Sequence, residues 1–290
     1  MQNLLAQIKG CFIVAGLPDQ LQSSRQQFAL HYDTESLKRL AQLAGAFLVL
    51  AVLLWAVAGY HGAFHLLNQF TPLLPDTFWQ IATFMGDTTV VLSISLLVAR
   101  RNPAILWVLL IAAVYGTLVT HGLKNLVGAE RPPVSLVTGE YNLVGKALKN
   151  GSFPSGHSLT AFVFVSIAFY FFRNFYLRIA LLLTGALIAF SRVMVAAHWP
   201  VDVFVGSGFG LLVTVAAVVT AQHIHWGFKV PLHLFIVFLL VVASLMILTG
   251  HDGGYPQAHL FGKLIAFSAL LMFIVDYFFP YKSSSKQTLQ

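Results

Sequence analysis

The chain has 290 residues, 58% of them hydrophobic and only 9% charged, with a formal net charge of +7. Soluble domains carry about a quarter charged residues, so a water-soluble globular protein is excluded, and the density of apolar runs leaves no room for a separate soluble domain beyond the first 36 residues. Most of the positive excess lies between apolar runs, where membrane topology and anionic lipid account for it better than nucleic acid does.

Residues 1–36 mix apolar and polar side chains without a long run, and read as an amphipathic cytoplasmic segment on the inner leaflet. Cys11 is the only cysteine, so no intrachain disulfide can form. The run from Cys11 to Gly16 is too short for the core of a signal peptide, and no cleavable signal is expected. Eight apolar stretches follow, near 40–60, 77–99, 104–124, 157–173, 176–195, 200–222, 231–249 and 259–279. Each approaches the ~20 residues a spanning helix needs. Gly86-Asp87 interrupts the second, and the fourth is short. The expected fold is an all-α, polytopic transmembrane helix bundle of about eight spans. Residues 37–222 form its main membrane domain, 223–281 hold two additional C-terminal helices, and 282–290 read as a polar cytoplasmic tail.

Lys and Arg placement sets the orientation. With the N-terminus in the cytoplasm, Lys38, Arg39, Arg100, Arg101, Arg173 and Arg178 fall inside, and fewer cations fall outside. Eight crossings return the C-terminus to the cytoplasm.

Three polar clusters then share the outer face. The first is LKNLVGAERPP, with Lys124 at the end of the third span and Arg131-Pro132 in the loop. The second is Pro154-Ser155-Gly156-His157, which opens the fourth span. The third is SRVMVAAHWPVD, with Ser191 and Arg192 ending the fifth span and His198 and Asp202 starting the sixth. Three cations, two histidines and one carboxylate collect at one membrane depth. Two helix N-termini, each with free N–H groups and about half a positive charge, begin there as well. Such an assembly suits a dianionic phosphate. His198 and Asp202 are four apart and share a helix face, so the carboxylate fixes one imidazole nitrogen and leaves the other free to attack. His157 has no carboxylate near it in sequence and is a proton donor for a leaving oxygen. Gly156 lets backbone approach a ligand, and Ser155 adds a hydroxyl. Taken singly, each residue also has a plain structural explanation: a snorkelling cation, an interfacial histidine or a Ser-Gly helix cap.

These clusters resemble the signature of the type 2 phosphatidic acid phosphatase superfamily, which also contains vanadium haloperoxidases and bacterial acid phosphatases. Lys124-(six residues)-Arg131-Pro132, Pro154-Ser155-Gly156-His157 and Ser191-Arg192-(five residues)-His198-(three residues)-Asp202 reproduce its three-part pattern in order and at its spacing, over about residues 77–222. The resemblance implies a six-helix lipid phosphatase core and a covalent mechanism with no cofactor and no metal. His198 would be the nucleophile, Asp202 would orient it and His157 would be the general acid. Lys124, Arg131, Ser155, Gly156 and Arg192 would hold the phosphoryl oxygens. The implied substrate is a membrane lipid phosphate of the phosphatidylglycerol phosphate, undecaprenyl pyrophosphate, phosphatidic acid or lipid A type. Family habit plus charge bias imply a site on the periplasmic face of a bacterial inner membrane. A lipid phosphotransferase and a non-catalytic flippase for anionic lipid are the alternatives. The chain departs from the common form in its last two helices, whose expected role is packing or a dimer surface, with substrate gating as the alternative.

The remaining polar signals are weaker. Asp87 is a membrane-depth acid with two equal readings, a functional group or the cap of a broken helix. Glu130 adjoins Arg131 and is expected only to balance it. His223 and His225 form an H-x-H that lacks further metal ligands. His251 to His259 reads as a turn. Gly206-Ser207-Gly208 and Gly210 read as a close helix contact that braces His198.

Overall fold

The computed structural model describes residues 16–279. The expected tail, residues 282–290, and the first fifteen residues of the N-terminal segment lie outside the described residues.

Apolar runs bounded by helix caps and breakers build every element. The helix α1 (Leu17–Leu30) follows Gly16, which takes a left-handed φ of 71°, and has proline in its first turn. It buries Leu17 and Leu21 against Val230 and Leu234, and its Phe28 stacks on Phe171 at 5.8 Å. The helix α2 (Thr34–Ala58) starts six residues before its apolar run, because Asp33 caps it by accepting from the Ser36 N–H at 3.0 Å.

The second apolar stretch is two helices, α3 (Asp76–Phe84) and α4 (Thr88–Ser95), the latter prolonged by a 3-10 turn, with a bend of 65° between them. Asp87 caps α4, accepting from the Thr89 N–H at 2.8 Å. Of the two readings of Asp87, the capping contact is the one present. Next come α5 (Pro103–Val127), α6 (Gly156–Phe171), α7 (Phe175–Met194) and α8 (Pro200–His223). The last two are α9 (Val230–Leu248) and α10 (His259–Phe278). The described residues contain no strand.

Among the described residues six helices are long and apolar enough to cross a membrane, and the bent α3–α4 pair makes up to seven. The fourth expected stretch is α6, with 16 residues. At 1.5 Å per residue it is about 24 Å long, short of the ~30 Å hydrocarbon layer.

The helix α8 is the hub, packed against α2, α5 and α6, while α9 and α10 cover α4. Small residues permit the α8–α6 approach. A Cβ on Gly210 would sit 2.5 Å from the Leu159 carbonyl oxygen, and one on Gly206 would run into that of Ser155. Ser166 adds a polar tie by donating to Thr214 Oγ1 at 2.7 Å. This packing fixes the start of α8 against the start of α6, where two of the three motifs meet.

Candidate active site

The end of α5, the start of α6, the end of α7 and the start of α8 lie together at one end of the bundle. The chain between α7 and α8 turns tightly there. Ala196 sits at a left-handed φ of 55°, and the Arg192 carbonyl accepts from the N–H groups of Ala197 at 2.9 Å and His198 at 3.2 Å. A non-glycine residue in that region costs about 1 kcal/mol, so the packing around fully buried Ala196 enforces the turn. Its effect is to hold Arg192 and His198 in one compact unit.

His198 is 1% exposed and its two ring nitrogens face different partners. Nδ1 lies 3.4 Å from Asp202 Oδ2, a long contact, and 3.4 Å from Ser152 Oγ. Nε2 lies 3.1 Å from Nη1 of Arg131. A guanidinium only donates, so Nε2 is the accepting nitrogen and the proton is assigned to Nδ1. Burial, helped by the charges of Arg131, Arg192 and Lys124, holds the His198 imidazole well below its ordinary value of 6.5 and keeps it neutral.

Asp202 is fully buried and fully engaged. Its carboxylate accepts from Ser152 Oγ at 2.5 Å, from the Trp199 N–H at 3.1 Å and from the Tyr60 hydroxyl. Tyr60, in the loop after α2, has its phenol pushed up by burial and by the Asp202 charge, so it stays a donor. The ring of Trp199 is buried against His61, stacked at 3.9 Å, and its Nε1 donates to the Glu130 carbonyl at 2.8 Å.

The cations close the site. Arg131 donates from Nε to the Asn150 carbonyl at 2.6 Å and from Nη1 to that of Ala197 at 2.7 Å. Arg192 is 1% exposed. Lys124 is partly buried beside Gly151. Among the described residues none of the three forms an ion pair. Buried cations without a carboxylate are costly unless an anion joins them.

Ser155 caps α6, its Oγ accepting from the Ser158 N–H at 3.3 Å, and the Ser155 N–H donates to the Asp202 carbonyl at 3.1 Å. That side chain therefore serves the helix, and its Oγ also accepts from the Ser158 hydroxyl at 2.8 Å. A Cβ on Gly156 would touch only Thr120, at 3.7 Å, so the protein leaves room at that backbone. His157, packed on Gly86, keeps a buried Nε2 that has no hydrogen-bond partner among the described residues.

Residues 104–226 match the model of the PAP2 superfamily. The motif-bearing part of the chain is therefore similar to the PAP2 superfamily. The resemblance read from its motifs was to this family. Two curated relatives carry the name lipid A 1-phosphatase. The Rhizobium etli protein is 30% identical over 153 residues, covering 45% of this chain and 65% of that protein. The Rhizobium johnstonii protein is 33% identical over 107 residues, covering 35% of this chain and 42% of that protein. The match thus spans less than two thirds of either relative. The crystal structure of Aquifex aeolicus LpxE is similar with a TM-score of 0.47 and 28% identity, over 53% of this chain and 91% of that one.

All eight expected site residues lie inside the PAP2 match, between Lys124 and Asp202. Several of their partners do not. Tyr60, Thr83 and Tyr255 reach the cluster from outside residues 104–226. The sequence carries no spacing signal for them. Ser152 lies two residues before the Pro154-Ser155-Gly156-His157 turn, outside all three motifs. One expectation is corrected. Glu130 does not balance Arg131; its exposed carboxylate accepts from Ser135 Oγ at 3.2 Å instead. No three His, Cys, Asp or Glu side chains come together among the described residues. His223 and His225 line a separate cavity of about 640 Å³ with Arg25 and Lys229, at the opposite end of α8.

Proposed function

We propose that the chain is an integral membrane lipid phosphatase that acts through a phosphohistidine and needs no metal ion. The observation that carries this reading is His198. A neutral, buried imidazole points Nδ1 at Asp202 and Nε2 at the guanidinium of Arg131. A phosphoryl group drawn into the field of Arg131, Arg192 and Lys124 would meet Nε2.

The chemistry follows from these positions. The lone pair of His198 Nε2 attacks phosphorus while the bond from phosphorus to the lipid-side oxygen breaks. His157 gives its proton to that oxygen. Asp202 holds the Nδ1 proton and stabilises the imidazolium as it forms. Arg131, Arg192 and Lys124 take up the charge on the phosphoryl oxygens, and the start of α6 adds the N–H groups at Ser155 and Gly156. Water, deprotonated by His157, then cleaves the nitrogen–phosphorus bond and releases inorganic phosphate.

An apolar cavity of about 390 Å³ supports a lipid substrate. Phe47, Phe162, Phe190 and Phe204 line it, together with Val193 and Pro200, which flank Arg192 and His198 in the chain. A lipid tail seated there would present its phosphate to the cations. The names of the two curated relatives put a lipid A 1-phosphate first among the substrates. Undecaprenyl pyrophosphate, phosphatidylglycerol phosphate and phosphatidic acid follow. The charge bias of the loops supports a periplasmic site in a bacterial inner membrane, with both termini cytoplasmic.

The test is phosphate release from these four lipids by purified wild type and His198→Ala, with EDTA present. Release by wild type alone is expected. Loss of release on chelation would refute the metal-free mechanism. No release from any lipid by folded wild type would move the assignment to phosphoryl transfer between lipids or to transport.

A further inference from the structure

Among the described residues, Arg192 is the one motif cation whose side chain is tied back by residues outside the PAP2 match. Its Nη1 donates to Tyr255 Oη at 2.8 Å and to Thr83 Oγ1. Its carbon Cζ sits 5.7 Å from the centre of the Tyr255 ring. Its Nε and Nη2 make no hydrogen bond among the described residues, and Nε is fully buried. The Nε–Nη2 edge is the face with which a guanidinium grips two oxygens at once. Both anchors of Nη1 therefore leave the gripping edge unspent.

The turn that brings Tyr255 is held on both sides. Residues 249–258 join α9 to α10, with Gly253 and Gly254 at left-handed φ values of 62° and 90°. Asp252 folds it, accepting from the Gly254 N–H at 2.8 Å. Gly254 in turn accepts from the Lys146 N–H at 3.3 Å. Tyr255 is 2% exposed, and Gly145 lies against its ring so closely that a Cβ there would sit 2.8 Å from Cδ1. The far side of the turn is pinned to α3, where Gln80 accepts from the Gln257 N–H at 3.0 Å. Thr83 stands on that same α3, one turn further along.

We propose that Tyr255 and Thr83 are positioning residues that set the orientation of Arg192 for a phosphoryl group. The C-terminal helix pair then completes the phosphate cradle. The proposal rests on the reading of Arg192 as a phosphoryl ligand. It gives α9 and α10 a role beyond packing: they carry a buried hydroxyl to an arginine 63 residues earlier in the chain.

Tyr255→Phe keeps the ring and removes one anchor. Thr83→Val keeps the shape and removes the other. The readouts are KM and kcat for the lipid that wild type hydrolyses, the inhibition constant of inorganic phosphate, and the thermal melting midpoint. A positioning contact that acts through Arg192 and is worth about one ordinary net hydrogen bond supports an expected loss of about three- to tenfold in kcat/KM for each variant, with phosphate inhibition weakened in parallel. The melting midpoint should stay close to that of wild type. A merely structural role would reduce the folded fraction, lowering kcat while leaving KM and the phosphate constant unchanged, and that result would overturn the proposal. So would a double variant with wild-type constants. If wild type itself neither releases nor binds phosphate, the reading of Arg192 fails first and the proposal falls with it.

Discussion

Asp202 and Arg131 hold opposite nitrogens of one imidazole: Oδ2 of Asp202 lies 3.4 Å from His198 Nδ1, and Nη1 of Arg131 lies 3.1 Å from His198 Nε2. The carboxylate is itself fixed by Ser152, Tyr60 and the Trp199 N–H, so the imidazole cannot flip without breaking a network. Asp202→Asn would leave this geometry nearly intact. Its amide can donate to Nδ1, which favours the tautomer with the proton on Nε2. That removes the attacking lone pair. Activity should fall about 10²- to 10⁴-fold, as in other sites where a carboxylate sets the tautomer of a catalytic histidine. Phosphate release by Asp202→Asn within a few-fold of wild type would show that His198 does not depend on this contact.

The pH profile carries a second expectation. In the proposed mechanism the neutral imidazole is the attacking form, so activity should be lost as pH falls through the folded-state value of His198. Burial, with Arg131, Arg192 and Lys124, holds that value well below 6.5. The acid limb of kcat/KM due to His198 therefore lies below pH 6.5. Arg131→Gln removes one cation and leaves the burial, so the limb should move part of the way up toward 6.5 while the rate falls. Ionisation of the substrate is common to both proteins and drops out of the comparison. Identical acid limbs in wild type and Arg131→Gln would remove Arg131 from the electrostatics of His198.

The helices were legible because a span needs about 20 apolar residues and the breakers between them are Gly, Pro and charge. The bend at Gly86-Asp87 and the shortness of the fourth stretch were legible for the same reason. The motif residues were legible because their spacing is local: six residues separate Lys124 from Arg131 and three separate His198 from Asp202. Tyr60, Thr83 and Tyr255 were not. Each is a single polar group whose partner lies 142, 109 or 63 residues away, and only tertiary packing makes the contact. The segment from His251 to His259 shows the limit well. Its Gly253-Gly254 and Pro256 signal a turn, and a turn forms. Nothing in that signal says that Tyr255 points at an arginine. Glu130 failed in the opposite way: adjacency in sequence suggested charge balance, yet an extended backbone at Arg131 sends the two side chains apart.

Asp87 tests the difference between a cap and a functional acid. Its Oδ1 accepts from the N–H and the hydroxyl of Thr89, at 2.8 and 2.6 Å. Asparagine is as good a cap as aspartate, and alanine is not. Asp87→Asn should therefore keep both stability and turnover, whereas Asp87→Ala should lose about 1 kcal/mol of stability. Thermal melts and phosphate release on both variants check this. A large loss of turnover in Asp87→Asn, with the melt unchanged, would restore the functional reading through the neighbouring His251, whose Nε2 lies 3.4 Å from Oδ1.

The contact between α8 and the start of α6 gives the last expectation. Gly206 faces the carbonyl oxygen of Ser155 with no room for a methyl group, and backbone cannot rotate aside as a side chain can. Gly206→Ala forces the start of α8 away from the turn that carries Ser155 and His157. The bond from the Ser155 N–H to the Asp202 carbonyl, now 3.1 Å, would stretch or break. Overpacking of this kind costs about 1–3 kcal/mol. The same displacement separates Asp202 from the elements bearing Ser152 and His157, so turnover should fall more than the loss of folded protein explains. Gly45→Ala is the matched control, since a Cβ there meets nothing within 4 Å and alanine favours the helix by about 1 kcal/mol. Melting midpoints should fall for Gly206→Ala and hold or rise for Gly45→Ala. Activity per folded molecule should drop only in the first. Equal activity in the two variants would mean that the α8–α6 contact braces the fold without setting the geometry of the site.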